Sequence, residues 1–276
     1  MNKILMLIGI LILTPVITYL QAGAIVEGSL EEHCSICLEI LKDNSAVNPL
    51  HEMALCAHIF HAKCLIPWLK KESSCPLCRA DLHEDFVAAC EAGNAATVDN
   101  YLKAKFEVNI TNADGYTPLE TAAWKGKLDI IKKLLKIEDQ KNYSPNWKKI
   151  NRSCALQFAA QENHTLAVQL LLLMGADANE RDEFNATPLM WATWHGNKKM
   201  IIALLEAGAS INATDKDKWT AMMYAAYAGK IRAINLLLKH GASLQKRDSE
   251  GYTACQIARL IKRRRTEQFL QQRGAY

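Results

Sequence analysis

The sequence predicts a mostly α-helical protein in which a small zinc-bound domain precedes a solenoid of helix pairs. Three observations support this fold class. Six of the nine cysteines lie between residues 34 and 78, and His58 and His61, two of the eight histidines, are spaced among them. A 33-residue spacing relates alanines, glycines and leucines over the rest of the chain, and such a period is typical of stacked repeats. The single long apolar run is at the N-terminus.

The composition excludes two classes of protein. Half of the 276 residues are hydrophobic and 22% are charged, which is too apolar for a disordered chain. A single long apolar run excludes a membrane protein with several spans. The formal net charge of +4 is too balanced to indicate nucleic acid binding by itself.

The N-terminal apolar run is predicted to be a cleaved secretory signal peptide. It occupies residues 4–20 after Lys3, and Ala22 and Ala24 provide the small residues that a signal peptidase requires. A run of this length, broken by Pro15, is marginal for spanning a bilayer. The alternative is a retained anchor. We assign residues 1–24 to this signal or anchor and residues 25–33 to a linker.

The first domain is predicted from the spacing of its cysteines and histidines. Two Cys-x-x-Cys pairs flank a central Cys-x-His-x-x-His-x-x-Cys segment. Eight such donors suit two tetrahedral zinc ions, and filled sites predict structural metals. A segment this short buries too little apolar surface to fold without a metal or disulfides. A disulfide framework is the alternative, but it leaves the histidine spacing unexplained. The predicted ligands are Cys34, Cys37, Cys56, His58, His61, Cys64, Cys75 and Cys78.

Residues 34–79 resemble a RING domain of ubiquitin ligases, in the variant with two neighbouring histidines. Besides the ligands, Ile36, Phe60, Trp68, Pro76 and Arg79 fall where that family places them. The resemblance implies two interleaved sites that form a cross-brace. One zinc ion would be held by Cys34, Cys37, His61 and Cys64, and the other by Cys56, His58, Cys75 and Cys78.

The same resemblance implies an adaptor with no covalent ubiquitin intermediate. RING ligases dock a ubiquitin-conjugating enzyme that carries ubiquitin as a thioester. Ile36, Trp68 and Pro76 would form the apolar docking patch. Arg79 would be the catalytic residue, with hydrogen bonds to both ubiquitin and the conjugating enzyme. The alternatives are that Trp68 packs in the small core and that Arg79 is a solvated surface charge.

Residues 82–276 are predicted to form repeats of two short helices. Thr117-Pro118 and Thr187-Pro188 have the pattern of helix starts, and glycines such as Gly175 follow the second helix of a unit. One step is 37 residues long and not 33, so one turn carries four extra residues within 137–151. Residues 114–135 and 186–212 resemble ankyrin repeats. The resemblance implies five to six repeats with degenerate terminal caps.

The three remaining cysteines are predicted to have structural positions. Cys90 and Cys255 fall in the registers of core residues, and Cys154 falls in the register of the helix-capping threonines. Their sequence context does not suggest an activated thiol. The run at residues 262–265 has two interpretations, a nuclear or phosphate-binding patch and the solvated part of a final capping helix.

Aromatic residues occupy variable positions of the repeats, where ankyrin domains bind proteins on their concave side. Residues three apart share a helix face and the 33-residue step stacks neighbouring repeats, so we predict that Trp191, Trp194, Tyr224 and Tyr227 form one contiguous patch that binds the substrate protein. The alternative is that one of the two registers packs inward. One register contains Phe158, Trp191 and Tyr224, and the other contains Trp124, Trp194 and Tyr227.

Together these features predict a RING-type ubiquitin-protein ligase with two structural zinc ions. Its expected partners are a ubiquitin-conjugating enzyme and a substrate protein on the ankyrin repeats, with no nucleic acid. A membrane is expected only if the N-terminal segment is retained. The alternative is a non-catalytic zinc-binding ankyrin scaffold. Because a secretory signal conflicts with cytosolic ubiquitin, we expect an exported effector of an intracellular bacterium that acts in the host cytosol; an endomembrane-anchored ligase is the alternative.

Overall fold

The structure is a computed structural model that describes residues 50–52, 59–70, 74–75 and 81–274. The predicted signal and linker, residues 1–33, lie outside the described residues. So do five predicted zinc ligands and three predicted docking or catalytic residues. These eight are Cys34, Cys37, Cys56, His58, Cys78, Ile36, Pro76 and Arg79.

The described part of the first domain is a short hairpin of strands followed by a helix. Strands β1 (Leu50–Glu52) and β2 (Ile59–His61) pair antiparallel, with Leu50 opposite His61. Helix α1 (Ala62–Leu69) begins directly after β2. Phe60 and Leu65 are fully buried, which places the apolar side of this unit toward the first repeat.

The remaining helices form six consecutive pairs, as the repeat spacing predicts. The first helices of the pairs pack against one another in one layer, and the second helices form the other layer. The pairs are α2 (Leu82–Ala92) with α3 (Ala95–Lys103), α4 (Pro118–Trp124) with α5 (Leu128–Gln140), α6 (Pro145–Gln161) with α7 (Thr165–Leu173), α8 (Pro188–His195) with α9 (Lys198–Glu206), α10 (Ala221–Tyr227) with α11 (Ile231–Lys239), and α12 (Ala254–Leu260) with α13 (Arg264–Gln271).

Local sequence signals account for the helix boundaries. At the start of α4, the Thr117 hydroxyl accepts from the Glu120 backbone N–H at 3.2 Å. The Glu120 carboxylate accepts from the Thr117 N–H at 2.8 Å. This reciprocal capping box satisfies two N–H groups that the helix leaves free. After a second helix, Gly175 adopts a φ of +85°, a left-handed conformation that a side chain would strain.

The third pair departs from the repeat, and here one expectation is corrected. The extra residues do not enlarge a turn but lengthen the helices, with 13 residues in α5 and 17 in α6. Ser144 caps α6 by accepting from the Trp147 N–H, and Pro145 follows at the first helical position. Cys154 therefore lies inside α6 and not at a helix start, because Ser144 supplies an earlier start than the repeat register does.

The first domain is joined directly to the first helix pair. Ser74 and Asp81 form an isolated antiparallel bridge, and the Asp81 carboxylate caps α2 by accepting from the His83 N–H at 2.7 Å. Helix α1 packs against α3. Leu65 of α1 and Leu82 of α2 belong to one continuous core, so the described part of the first domain packs against the first helix pair. Within the described ranges, no helix has both the length and the apolar character needed to cross a membrane.

Candidate functional site

Two predicted zinc ligands lie at the junction between β2 and α1. His61 is the last residue of β2 and also precedes the first turn of α1, while Cys64 lies within that turn. The His61 side chain is deeply buried, with the whole residue 1% exposed, and Cys64 is half-buried. The abrupt change from strand to helix thus places an imidazole and a thiol within one helical turn of each other.

A second contact in this domain joins Trp68 of α1 to the chain next to Cys75. Cys75 is fully buried. The Trp68 indole N–H of α1 donates to the backbone oxygen of Ser74 at 2.9 Å, next to Cys75. The Trp68 side chain is half-buried, so it packs against this loop and still reaches the surface. Packing and docking, the two interpretations of Trp68, are therefore compatible.

The described donors fit the chemistry of zinc. Imidazole nitrogen and thiol sulfur are the donor types that Zn²⁺ prefers, and burial of His61 and Cys75 excludes water from them. Among the described residues alone, no group of three potential ligands is arranged around a metal position, since five of the eight predicted ligands lie outside these ranges. The agreement with the ligand preferences of zinc therefore applies to His61, Cys64 and Cys75.

The aromatic residues of the fourth and fifth pairs contact one another. We call this group the second aromatic cluster, because another cluster precedes it in the chain. It consists of Trp191, Trp194, Trp219, Tyr224 and Tyr227. The rings of Trp194 and Tyr227 stack, with centroids 5.4 Å apart and an interplanar angle of 18°. The ring centroid of Trp219 lies 5.6 Å from the ring centroids of both Tyr224 and Tyr227. The 33-residue register thus brings rings of neighbouring repeats together.

A smaller first aromatic cluster lies on the second and third pairs and consists of Tyr116, Trp124 and Phe158. Tyr116 and Phe158 meet edge to face, with ring centroids 5.4 Å apart. The Lys125 ammonium lies 4.4 Å from the centroid of the Trp124 ring, within the range of a cation–π interaction. Both Trp124 and Phe158 are half-buried.

The two aromatic registers differ in burial. Trp191 is 8% exposed and Tyr224 is 5% exposed, whereas Trp194 and Tyr227 are half-buried. The Trp191 indole donates to Asp182 at 2.9 Å, and the Tyr224 hydroxyl donates to Asp215 at 2.9 Å. In this cluster one register therefore packs inward, and the other reaches the surface.

The carboxylates beneath the rings organise the turns before α8 and α10. One oxygen of Asp215 accepts from the backbone N–H groups of Asp217 and Trp219, and its other oxygen accepts from Tyr224. Burial raises the pKa of Asp215, and burial together with Asp215 raises the pKa of Tyr224. Trp191 and Tyr224 therefore help to fix the turns that precede α8 and α10, the helices that carry Trp194 and Tyr227.

Sequence reasoning missed Tyr116 and Trp219 in these clusters. Both lie directly before the threonine that caps the first helix of a pair, at Thr117 and Thr220. This register was a usable signal, because Tyr252 also precedes such a threonine, Thr253.

The three cysteines of the repeats are not activated. Burial raises the pKa of the Cys90 thiol and of the Cys255 thiol. Burial, with Glu120 and Glu180 adding to it, raises the pKa of Cys154 to about 11. A reactive thiol needs the opposite shift, so these side chains are protonated packing residues at neutral pH.

Comparisons with known families define the class of the chain. Ankyrin-repeat families match residues 86–135, 138–215 and 204–258. The Ring finger domain family matches residues 32–79. The chain therefore belongs to the ankyrin-repeat proteins. More particularly, it carries a RING finger of the H2 type in front of the repeats.

The curated relatives match the RING segment. E3 ubiquitin-protein ligase RNF181 of Xenopus tropicalis is 42% identical over 52 residues, which are 19% of this chain and 31% of that protein. RING-H2 finger protein ATL39 of Arabidopsis thaliana is 39% identical over 66 residues, 24% of this chain and 48% of that protein. E3 ubiquitin-protein ligase ATL9 of Arabidopsis thaliana is 40% identical over 68 residues, 25% and 17% respectively. The chain spans less than half the length of each of these relatives.

A solved structure matches the larger part of the fold. One chain of the complex titled Bd0816 predatory endopeptidase from Bdellovibrio bacteriovorus with immunity protein Bd3460 is 30% identical, with a TM-score of 0.59. The match covers 68% of this chain and 96% of that chain.

Proposed function

We propose that the protein is a RING-type ubiquitin-protein ligase that docks a ubiquitin-conjugating enzyme through its RING finger and recruits substrate protein through its ankyrin repeats. The observation that carries this proposal is the match of residues 32–79 to the Ring finger domain, where similar segments belong to named E3 ubiquitin-protein ligases. The two families together account for most of the chain after the N-terminal segment.

Two structural zinc ions are part of the proposal. His61 and Cys64, with Cys34 and Cys37, would hold one ion. Cys75, with Cys56, His58 and Cys78, would hold the other. When bound, zinc supplies the cross-links that a segment of this size needs in order to fold. The burial of His61 and Cys75 supports this assignment.

The docking surface would consist of Ile36, Trp68 and Pro76, with Arg79 beside it. Trp68 supports the proposal, because its hydrogen bond to Ser74 fixes the indole beside Ser74, which precedes Pro76 by two residues in the sequence. A fixed, partly exposed aromatic ring loses little entropy on binding. Arg79 would contribute by holding the ubiquitin thioester in a reactive pose, which is a positioning effect.

The half-buried rings of the two aromatic clusters are proposed to contact the substrate. Trp124, Phe158, Trp194 and Tyr227 retain exposed surface, and Trp191 and Tyr224 would act from beneath by fixing the turns. Clustered Trp and Tyr side chains are typical of the residues that dominate protein interfaces.

The N-terminal segment supports a proposal about where the protein acts. Lys3, the apolar residues 4–20 and the small residues Ala22 and Ala24 support a secretory signal. Ubiquitin is cytosolic, so we propose that the protein is exported by an intracellular bacterium and acts in the host cytosol.

Self-ubiquitination in a purified system tests the proposed activity. The full chain is mixed with activating enzyme, conjugating enzyme, ubiquitin and ATP, and ubiquitin conjugates are measured over time. We expect conjugates with the unaltered protein, and their loss in Ile36→Ala and in Arg79→Ala while zinc content stays normal. Ile150→Ala and Arg273→Ala are matched controls on exposed residues of the repeats and are expected to retain activity.

Two results would contradict the proposal. Conjugates that persist in both Ile36→Ala and Arg79→Ala would refute the docking model. An unaltered, zinc-loaded protein that is inactive with every conjugating enzyme tried would favour a non-catalytic ankyrin scaffold.

A further inference from the structure

One edge of the last three helix pairs carries a continuous group of cations, which we call the basic edge. It is formed by the turns between the first and second helix of each pair and by the first residues of the second helices. All of its side chains are exposed. The basic edge consists of Lys198, Lys199, Lys230, Arg232, Lys262, Arg263, Arg264 and Arg265.

Contacts between successive turns make this edge one surface. The Lys230 side chain lies across Gly196 of the preceding turn, where an added Cβ would come within 2.8 Å of it. Arg263 lies across Gly229 in the same way and donates from its Nε to the backbone oxygen of Tyr227 at 3.4 Å. Each turn therefore supports the next, and their cations lie side by side.

The cations of the basic edge lack acidic partners in the described part of the chain. Within residues 193–200, 226–234 and 259–267, the one acidic residue is Glu267. Its carboxylate is already paired with Arg259 at 2.6 Å. Ion pairs found elsewhere in residues 81–274 involve other side chains. The positive charge of the edge is therefore available to a partner.

The position of these cations on the helices is unfavourable for the isolated protein. Lys198 and Lys199 are the first two residues of α9, and Arg264 and Arg265 are the first two of α13. The N-terminal end of a helix carries partial positive charge and favours acidic side chains. The whole chain has a net charge of only +4, so the remainder of the protein is net acidic and the basic charge is concentrated here.

The basic edge continues into the second aromatic cluster. Trp194 and Tyr227 lie at the ends of α8 and α10, immediately before the turns that lead to Lys198 and contain Lys230. Their rings stack on each other, so one face of each ring is already occupied. Trp and Tyr are enriched among the residues that dominate protein interfaces, and the neighbouring cations favour acidic side chains. The combination favours a protein segment with both acidic and apolar residues.

We propose that the basic edge docks an acidic segment of the substrate protein, with the apolar side chains of that segment against Trp194 and Tyr227. This inference deepens the proposed function and relies on it for the role of the bound protein as a substrate. Charge complementarity would steer the segment to the edge, and the aromatic contacts would hold it.

A peptide selection on the full-length protein tests the inference. Random dodecapeptides displayed on phage are selected against the immobilised chain at low salt, and the selected peptides are then measured by fluorescence polarisation. We expect enrichment of Asp and Glu beside aromatic or aliphatic residues. Binding should weaken about tenfold or more in Arg264→Glu/Arg265→Glu and on addition of salt.

The charge-reversed variant suits this test because acidic residues in the first turn of α13 complement the helix dipole and should not unfold it. Lys132→Glu/Lys136→Glu is the matched control, since these two exposed lysines lie on α5, outside the edge. The control should bind the selected peptides as the unaltered protein does. Selected peptides without acidic enrichment, or binding that survives the reversal, would overturn the inference.

Two further arms separate other anionic partners. Full-length protein is tested against phosphatidylserine-containing vesicles and against an oligothymidylate. Stronger edge-dependent binding to either of these than to the selected peptides would overturn the inference in favour of a membrane or a nucleic acid. Self-ubiquitination of the unaltered protein is measured in parallel. Its absence in the unaltered protein would defeat the proposed ligase activity, while the peptide result would still report on the edge.

Discussion

The RING segment and the ankyrin repeats differ in the roles that we propose for their cysteines. Six of the nine cysteines lie in the RING segment, where Cys64 and Cys75, like His61, are proposed metal ligands. The other three are packed in the repeats, where burial raises the pKa of each thiol. Metal binding requires a thiolate and packing favours a thiol, so the two environments suit different chemical forms of one residue type.

The contrast extends to how each region is stabilised. The described part of the RING segment has two three-residue strands and one helix, and its core includes few large side chains. Each repeat instead buries aliphatic side chains between helix layers, such as Leu119 and Ile131 in the second pair. We infer that the RING segment depends on metal, whereas the repeats depend on contacts with neighbouring repeats.

Loss of a zinc ligand is the largest expected effect and tests the metal-dependent side of this comparison. Cys64→Ala should abolish self-ubiquitination and remove amide hydrogen-exchange protection from β2 and α1. Zinc contributes about 10–16 kcal/mol in small zinc domains, more than a segment of this size can lose and remain folded. Hydrogen exchange followed by mass spectrometry measures protection in every helix separately.

The repeats provide the internal control for this variant. Helices α8 to α12 should keep their protection in Cys64→Ala and after treatment with a chelator. Helix α3 should lose part of its protection, because α1 packs against it. Unfolding of all six pairs on zinc removal would contradict the division into a metal-dependent and a contact-dependent region.

A buried ion pair tests whether the stability of the repeats depends on contacts between neighbouring repeats. In the long third pair, Arg152 donates to Glu138 at 3.2 Å, to Asp139 at 2.6 Å and to the backbone oxygen of Met174 at 2.7 Å. Arg152→Met removes the charge partner of the buried Glu138 carboxylate and should lower the free energy of unfolding of the repeats by about 3–5 kcal/mol. Urea unfolding monitored by circular dichroism measures this loss, and zinc content should not change.

The loss in Arg152→Met should depend on pH in a defined direction. Burial already raises the pKa of Glu138, and Arg152 opposes that rise, so the variant should raise the pKa further. A carboxyl group with a raised native pKa stabilises the fold when protonated, and this contribution disappears as the pH rises through the native pKa. The difference in unfolding free energy between the variant and the unaltered protein should therefore shrink as the pH falls from neutral toward the ordinary glutamate pKa of about 4.3. A difference that grows toward acidic pH would contradict the assignment of Glu138 as the uncompensated group.

Much of the fold could be predicted from the sequence because the repeat spacing specifies the positions of the helix pairs. The 33-residue step, Thr117-Pro118 and glycines such as Gly175 predicted helix pairs that the structure confirms. The interruption could be located but not interpreted. Four extra residues can enlarge a turn or extend a helix, and Ser144 decides between these outcomes through a cap that the repeat register does not include.

The surface was harder to predict than the fold. A spacing of three residues places Trp191 and Trp194 on one helix face, but it does not say which ring finds a buried acceptor. Asp182 decides this, since it accepts from Trp191 and holds that ring inward. The basic run at 262–265 had two interpretations in the sequence, and its connection with Lys198 and Lys230 depends on the stacking of turns.

The smallest expected effect comes from a cysteine of the repeats and sharpens the comparison most directly. Cys255 of α12 is 1% exposed, and its thiol lies 4.0 Å from the backbone oxygen of Glu267. Cys255→Ala, the same substitution as in Cys64→Ala, removes one sulfur atom from a packed site and should lower the free energy of unfolding by about 1 kcal/mol. Self-ubiquitination and zinc content should stay at the level of the unaltered protein. Loss of zinc or activity in Cys255→Ala would show that this thiol has a role beyond packing and would remove the distinction between the two classes of cysteine.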